Sequence, residues 1–455
     1  MLPNLQINFK EVFSEDYLTE IGIQTGFCKR GSKVTPFMFI DILLYNSSSD
    51  ANKSLNQLTI EALSVHGVLI SKQGIDKRFN EQAVEFIKTV FESQLAKQIQ
   101  KENIDAGWLS HFGQVRIKDG TRFDIPEEFY KLLPGSGGSA SKAGVCIQYE
   151  FDIKSGKILD FTLTPANRPD VRDAKETKLN VEKEDLVIRD LGYFILEGLS
   201  HIINSEAYFI SRLDSKTNVY HQKNGIRKLL DFAAINKYMK KYKLLRMELE
   251  VFIGKQAQLP VRLVIELMPE EIYSKRMQAV NKGNKKKGYH TSDEYSKRAR
   301  FNLFVTNITQ EKLPAEAISA LYKIRWQIEL VFKVWKSTFG INNTRKMKYN
   351  RWLCLLYAKL LVIIINWTII MAHRIAIYNQ YGKMLSVDKC YKTLRDNFDK
   401  IRTAIREGAD AISQIMNWIT KMFFQKHSLE RKKKRTNFEE IIYLMFCKSG
   451  IYVYI

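Results

Sequence analysis

The stretch LYKIRWQIELVFKVWKS, residues 321–337, is apolar except for a few polar side chains at helical spacing. At ~100° per residue, a single helix places Tyr322, Arg325, Glu329 and Lys336 within a stripe about 60° wide. Ile324, Ile328, Val331, Phe332 and Trp335 fall on the adjoining face, which the pattern assigns to a core. A solvated face with an Arg325–Glu329 ion pair would look similar, because residues four apart are helix neighbours. A phenol, a guanidinium, a carboxylate and an ammonium in one file also suit phosphate chemistry: the cations hold phosphate oxygens and the acid holds a metal.

One glutamate is not enough for metal-assisted phosphoryl transfer, which needs carboxylates from several elements. Two other acids stand where strands are expected to stop. Asp119 closes VRIKD, with Gly120 letting the chain turn away, and Asp190 closes LVIRD. Asp124, Asp170, Asp173 and Asp214 compete for the role; Asp170 and Asp173 lie in a polar segment and read as caps or solvated acids.

Around these residues the texture alternates. Residues 1–105 read as helical and 106–214 as the first part of an α/β core. In the latter, VCIQYEFDIKSGKILDFTLTP forms a hairpin turning at Lys154, Ser155 and Gly156. Residues 215–305 read as a β-rich insertion with a basic loop from Lys275 to Arg300, 306–345 as the second part of the core with the opening helix, and 346–455 as helical. The glycine-rich LPGSGGSASKAG lacks the following Gly-Lys-Ser/Thr of a nucleotide-binding loop.

The 455 residues carry 71 Lys and Arg against 49 Asp and Glu, a net charge of +22, which points to a polyanionic partner, nucleic acid first. The five cysteines (Cys28, Cys146, Cys354, Cys390, Cys447) show no CxxC pairing, and the N-terminal residues have no apolar signal core, so reduced thiols and a cytoplasmic protein are expected. The seven histidines are scattered, which makes a structural zinc site improbable. Leu353–His373 imitates a membrane span, but Lys359 and Asn366 interrupt it and Arg351 and Arg374 flank it, so it reads as a buried core helix and no membrane partner is expected.

The spacing Y-x2-R-x3-E-x6-K resembles the signature of the IS-four group of bacterial insertion-sequence DDE transposases, met here at Tyr322, Arg325, Glu329 and Lys336. The KDGT around Asp119 and the DLGYF from Asp190 are similar to that family's contexts for its two aspartates, and 329 − 190 = 139 residues leave room for the family's β-rich insertion. The resemblance extends over nearly the whole chain. It implies an RNase H-like catalytic core interrupted by a β-rich insertion, with helical N- and C-terminal regions. It implies that Asp119, Asp190 and Glu329 are catalytic and bind two Mg²⁺ ions, with Mn²⁺ able to substitute. It implies cut-and-paste transposition through hairpin ends on double-stranded DNA, both transposon ends and target. Tyr322, Arg325 and Lys336 would hold phosphates, and a homodimer would pair the ends in a bacterial, nucleoid-associated synaptic complex.

Further DNA contacts are less defined. Gly67 breaks one amphipathic segment, Ser71 can cap the next, and Lys72, Gln73, Lys77 and Arg78 decorate it; this resembles a helix-turn-helix, and a helical hairpin with a basic face fits as well. The family's base-stacking tryptophan is missing from RARFNLFVTN, where Phe301 either stacks a base or belongs to the core. The basic stretch after Lys275 and the C-terminal ERKKKR either grip phosphates or are solvated charge. The competing functions are a DNA-binding protein without catalysis and a different RNase H-like nuclease.

Overall fold

In a computed structural model, residues 13–28, 33–47, 52–96, 107–138, 140–176, 180–256 and 258–429 are described. Cys447 and the ERKKKR run lie outside them. Helices α1 (Glu15–Gln24), α2 (Pro36–Ser47), α3 (Leu55–His66), α4 (Lys72–Asp76) and α5 (Glu81–Ala96) come first. They lead to β1 (Val115–Asp124), β2 (Gly144–Asp152), β3 (Ile158–Pro165), α6 (Asp170–Glu176), β4 (Leu186–Arg189), α7 (Leu196–Asn204) and β5 (Tyr208–Arg212). Next are β6 (Val219–Lys223), β7 (Ile226–Leu229), α8 (Phe232–Lys241), β8 (Arg246–Ile253), β9 (Leu259–Leu267), α9 (Glu270–Lys286), α10 (Asp293–Arg298) and β10 (Phe301–Thr306). Helices α11 (Ala315–Ile324), α12 (Trp326–Ser337), α13 (Tyr349–Tyr381), α14 (Val387–Asp396), α15 (Phe398–Glu407) and α16 (Ala409–Lys426) complete the mixed α/β fold.

The chain divides into two units. The first takes Met1–Asp105, Gly120–Asn167 and Trp326–Ile455. Its centre is the β2–β3 hairpin against α13 and α12. Every residue of β2 is buried, and Tyr149 stacks edge-on with Trp335 at 4.9 Å while Phe151 meets Trp367 at 5.1 Å. Trp367 donates its indole N–H to the carbonyl of Gly156 (2.7 Å), fixing the expected hairpin turn on the helix. Helix α13 contains the membrane-like run, and 83% of that window is buried inside the fold. Lys359 is buried there because its ammonium donates to the Gly340 carbonyl (2.9 Å). The N- and C-terminal helical regions close on each other: Arg402 of α15 binds Asp41 of α2 (3.1 Å) and Glu61 of α3 (2.6 Å), and Asp76 of α4 binds Lys348 (2.8 Å) and Arg351 (3.0 Å).

The second unit takes Ala106–Asp119 and Arg168–Arg325. Strand β1 enters it with Val115–Lys118, parallel to Leu186–Arg189 of β4, and β4 is parallel to β5. Strand β10 runs antiparallel beside β5, and β9, β8, β6 and β7 continue the sheet from it. Phe209, Phe232, Leu263, Phe301 and Val305 form much of its core. Strands β6 to β9 lie between residues 219 and 267. The basic stretch after Lys275 is not a loop: α9 and α10 together hold most of it, and in α9 Glu270 and Glu271 in the first turn and Lys285 and Lys286 in the last complement the helix dipole.

Gly156 sits at φ +73°, and a Cβ there would come within 2.4 Å of Met371 Cγ. Gly156→Ala should therefore cost about 2–4 kcal/mol from overpacking plus the positive φ. Urea unfolding of the two proteins checks this, and an unchanged midpoint would show that the hairpin is not clamped by α13.

Candidate active site

Strand β1 does not end at Asp119. It continues through Gly120 to Asp124, and what stops at Lys118 is only its ladder with β4. Gly120 makes no turn but sits in tight space: a Cβ there would lie 3.2 Å from Cys146 Sγ and from Gln148 Nε2, which would have to shift. The last parallel pair is Lys118 with Arg189, so Asp119 and Asp190 are the next residues on adjacent strands. Strand alternation sends their side chains to the face opposite Lys118 and Arg189.

Two carboxylates on neighbouring strands repel unless a cation lies between them. Arg325 supplies it, with one guanidinium nitrogen 3.0 Å from Asp119 Oδ2 and the other 3.5 Å from Asp190 Oδ1. The Arg325 side chain is only 7% exposed, Asp119 19% and Asp190 43%, so this contact is largely screened from water on the Asp119 side. Tyr322 lies beside it, with the Arg325 guanidinium 6.0 Å from its ring centre and the Phe304 ring 5.4 Å away. Its buried hydroxyl hydrogen-bonds to none of the described residues. Burial pushes the phenol up to about 12, with Arg325 opposing and Asp190 reinforcing the shift, so it stays protonated at neutral pH.

The stretch read as one helix is two. Helix α11 ends at Ile324, α12 begins at Trp326, and the Arg325 N–H bonds three residues back to the Tyr322 carbonyl (3.2 Å). The tightened turn breaks the regular angular progression on which the single stripe depended. Tyr322 and Arg325 belong to the second unit with both aspartates; Glu329, exposed in the first turn of α12, and Lys336 belong to the first unit. Lys336 donates to the carbonyl of Arg122 in β1 (2.9 Å), and burial lowers its pKa. Among the described residues, no three His, Cys, Asp or Glu side chains form a ready metal cage. The donor chemistry of the aspartate pair nevertheless suits a hard cation, since it is two oxygen ligands already gathered around one positive charge.

Other expectations change. Phe301 is 2% exposed and packs on Phe232 with centroids 6.2 Å apart, so its ring is core and is not open to a base. The segment capped by Ser71 is the five-residue helix α4, and a new helix starts at Glu81 with Asn80 accepting from the Ala83 N–H (2.9 Å). Lys72 and Lys77 are exposed, while Arg78 lies 5.9 Å from the Phe27 ring centre.

Asp173 is neither a cap nor solvated. It is buried and binds Lys118, itself 0% exposed, at 2.7 Å, with Arg168 at 3.7 Å. Asp170 of the same helix explains the glycine two residues after Asp190: a Cβ on Gly192 would approach Asp170 Oδ2 to 3.2 Å. Helix α6 thus braces β1 one residue before Asp119 and the chain two residues after Asp190. The clue in the sequence was charge inside VRIKD, a segment otherwise patterned for burial.

Lys118→Met should destabilise by about 3–5 kcal/mol, because it leaves Asp173 charged in the interior. Adding Asp173→Leu should recover most of that loss. Equilibrium unfolding of the singles and the double variant tests the pairing; additive losses would contradict it. Tyr322→Phe should leave stability within ~0.5 kcal/mol, because the hydroxyl it removes has no partner among the described residues.

A family model described as the transposase DDE domain matches residues 110–365. The transposase of insertion sequence IS231F from Bacillus thuringiensis subsp. israelensis is 33% identical over 433 residues, 92% of this chain and 90% of that protein. The transposase of IS1151 from Clostridium perfringens is 29% identical over 96% of this chain and 95% of its own length. A piggyBac transposase in a synaptic complex with hairpin DNA aligns over 94% of this chain and 85% of that one, at 11% identity and a TM-score of 0.45, too low to bear on the fold. A match over more than half of the chain, joined by full-length relatives at this identity, places the protein in its family: it is a DDE transposase of the bacterial insertion-sequence type, as the IS-four resemblance of its sequence implied.

Proposed function

We propose that this transposase cuts double-stranded DNA at the terminal inverted repeats of its element and joins the freed 3′ ends to target DNA. Asp119, Asp190 and Glu329 are the catalytic acids in this reading and would hold two Mg²⁺ ions, or Mn²⁺ in their place. The observation that carries it is the aspartate pair: two acids from parallel strands, drawn onto one buried guanidinium. Glu329 follows that guanidinium by four residues in the chain, in the family's spacing. Bound metal supplies the activation of water and the neutralisation of the leaving oxygen.

The chain's own groups do the rest. Arg325 holds the aspartates close, and its five donors in a rigid fork suit phosphate oxygens. Tyr322 keeps a protonated hydroxyl that is free to donate to a phosphate. Lys336 adds a cation fixed to the β1 backbone. Hairpin ends are the family's route after nicking; with Phe301 in the core, no stacking residue in β10 supports that step in this chain. Two copies would pair the element ends, acting on DNA in the bacterial cytoplasm. The competing reading is a DNA-binding protein that no longer cleaves.

Purified protein mixed with labelled duplex carrying the flanking repeats of its own gene should nick at the repeat tips with Mg²⁺ and not with EDTA. Asp119→Asn, Asp190→Asn and Glu329→Gln should each lower cleavage by at least 10³-fold, a loss of about 4 kcal/mol of transition-state stabilisation. Each should still bind the duplex. Cleavage by the Glu329→Gln protein would remove Glu329 from the set, and binding without cleavage by the unaltered protein would favour the inactive reading. Hairpins on the denaturing gel would establish that route, and their absence alongside joined products would exclude it.

A further inference from the structure

Helix α9 has seventeen residues and none of them is buried. Its more covered side chains, among them Tyr273, Arg276, Met277 and Val280, are only half-buried, and a helix this exposed ordinarily reaches a partner or is held by side-chain ion pairs. Ion pairs do not hold this one. Between Glu271 and Asp293 the chain has six Lys and Arg and no acid. Lys282, Lys285, Lys286 and Lys287 form no ion pair among the described residues. Some exposed lysines on other helices are paired (Lys297 with Asp293 at 2.7 Å, Lys392 with Asp388 at 2.8 Å, Lys88 with Glu92 at 3.8 Å), and Lys237, Lys240 and Lys241 of α8, like those of α9, are not paired among the described residues.

The base of α9 is tied to the sheet, while its far end is held by Thr291, which donates to Asn281 (2.6 Å) and accepts from Asn284 (3.0 Å). Arg300 binds Glu270 (2.7 Å), and Arg276 donates to the carbonyls of Ala299 and Phe301 (3.2 Å each) and to Asn302 (2.9 Å). Lys275, Lys282 and Lys286 fall within about 40° of one another at 100° per residue, so they line one side of the shaft. At ~1.5 Å per residue the helix is roughly 25 Å long, comparable with the width of a DNA duplex.

The base lies on the edge of the sheet that bears the aspartates. Strands β1, β4 and β5 are parallel, so Asp119, Asp190 and Arg212 finish on one edge. Strand β10 is antiparallel to β5 with Phe304 opposite Arg212, so its first residue, Phe301, projects beyond Arg212 on that same edge. Leu267 at the end of β9 pairs with Phe301, and α9 starts three residues later. From β4 to β9 is three strand spacings of ~4.8 Å, roughly 14 Å. Arg212 lies within electrostatic reach of both ends: it opposes the burial that raises the pKa of Tyr322, and it adds to the burial that lowers that of Arg276.

From this placement we infer that α9 is a DNA-backbone arm, which takes the phosphates of the duplex as it passes off the aspartate edge and does so without reading sequence. The assignment rests on the transposase reading and adds to it where the uncut part of the substrate lies. Four free ammonium groups on a solvated shaft suit the regular charge of a phosphate backbone, and they offer little to base edges.

The test replaces Lys282, Lys285, Lys286 and Lys287 together with Gln, and in a second protein with Arg. Binding of two labelled duplexes, one carrying the element end and one unrelated, is measured across a range of salt concentrations. The Gln variant should bind both duplexes at least tenfold more weakly, with the salt slope shallower by up to ~3.6 for four lost phosphate contacts. Its thermal midpoint should be unchanged, and the Arg variant should bind as the parent does. Unchanged affinity and slope would overturn the arm. Loss of affinity for the element end alone would also overturn it, because the helix would then be reading sequence. A parent protein with no affinity for either duplex would instead overturn the transposase reading beneath it.

Discussion

The parallel register of β1 and β4 constrains everything near the site. With Lys118 opposite Arg189, the next step along both strands puts two aspartates side by side. Neighbouring strands are ~4.8 Å apart, too close for two ionised carboxylates without a cation. Alternation turns the side chains of Arg116 and Lys118 to the other face, where they too are buried and need counterions. Asp185 meets Arg116 at 3.4 Å and Asp173 meets Lys118 at 2.7 Å. One strand thus has buried cations on one side and a clustered acid on the other. Neither face is stable alone, so α6 and α11 are both fixed by charge as well as by packing.

That arrangement gives Arg325 two uses. In the fold it neutralises the acid pair, and in the proposed chemistry it would be a phosphate ligand. The tightened turn at Arg325 lets the guanidinium end one helix while Glu329 opens the next. An acid in the first turn of a helix is favoured by the dipole, which agrees with the exposed position of Glu329.

Much of this was legible in the chain. The hairpin around Gly156, strands β4, β5, β8, β9 and β10, and the buried α13 follow from period and turn chemistry acting locally. The aspartates were legible as acids ending apolar runs, although the run at Asp119 continues as strand: pairing partner and strand end are different things, and only the first changes there. Phe301 could not be assigned from its own neighbourhood, since an aromatic residue opening a strand suits a core or a stacking platform equally, and Phe232, which decides between them, is distant in sequence. Asp173 was misread for the same reason. Its partner, Lys118, lies 173 − 118 = 55 residues earlier, and no local pattern shows that two buried charges will meet. The break at Arg325 was hidden because a single i→i−3 bond leaves hydrophobic spacing almost intact.

The surplus of +22 is distributed accordingly. Several buried cations are matched to acids, Arg116 to Asp185, Lys118 to Asp173, Arg262 to Glu248, and Arg402 to Asp41 and Glu61, while Lys359 is met by the Gly340 carbonyl. Interior charge therefore contributes little to the excess, because an unmatched buried ion is penalised by several kcal/mol or more. The excess has to be on the surface, where single lysines cost the fold almost nothing and attract polyanions over a Debye length of roughly 8–10 Å. Helix α9 concentrates that free charge. Its glycine at 283 and its lack of any buried side chain are poor choices for stability alone, since a mid-helix glycine weakens a helix by about 1 kcal/mol relative to alanine. A weakly packed helix anchored at the aspartate edge of the sheet, with lysines toward its far end unpaired among the described residues, is what the proposed backbone arm requires.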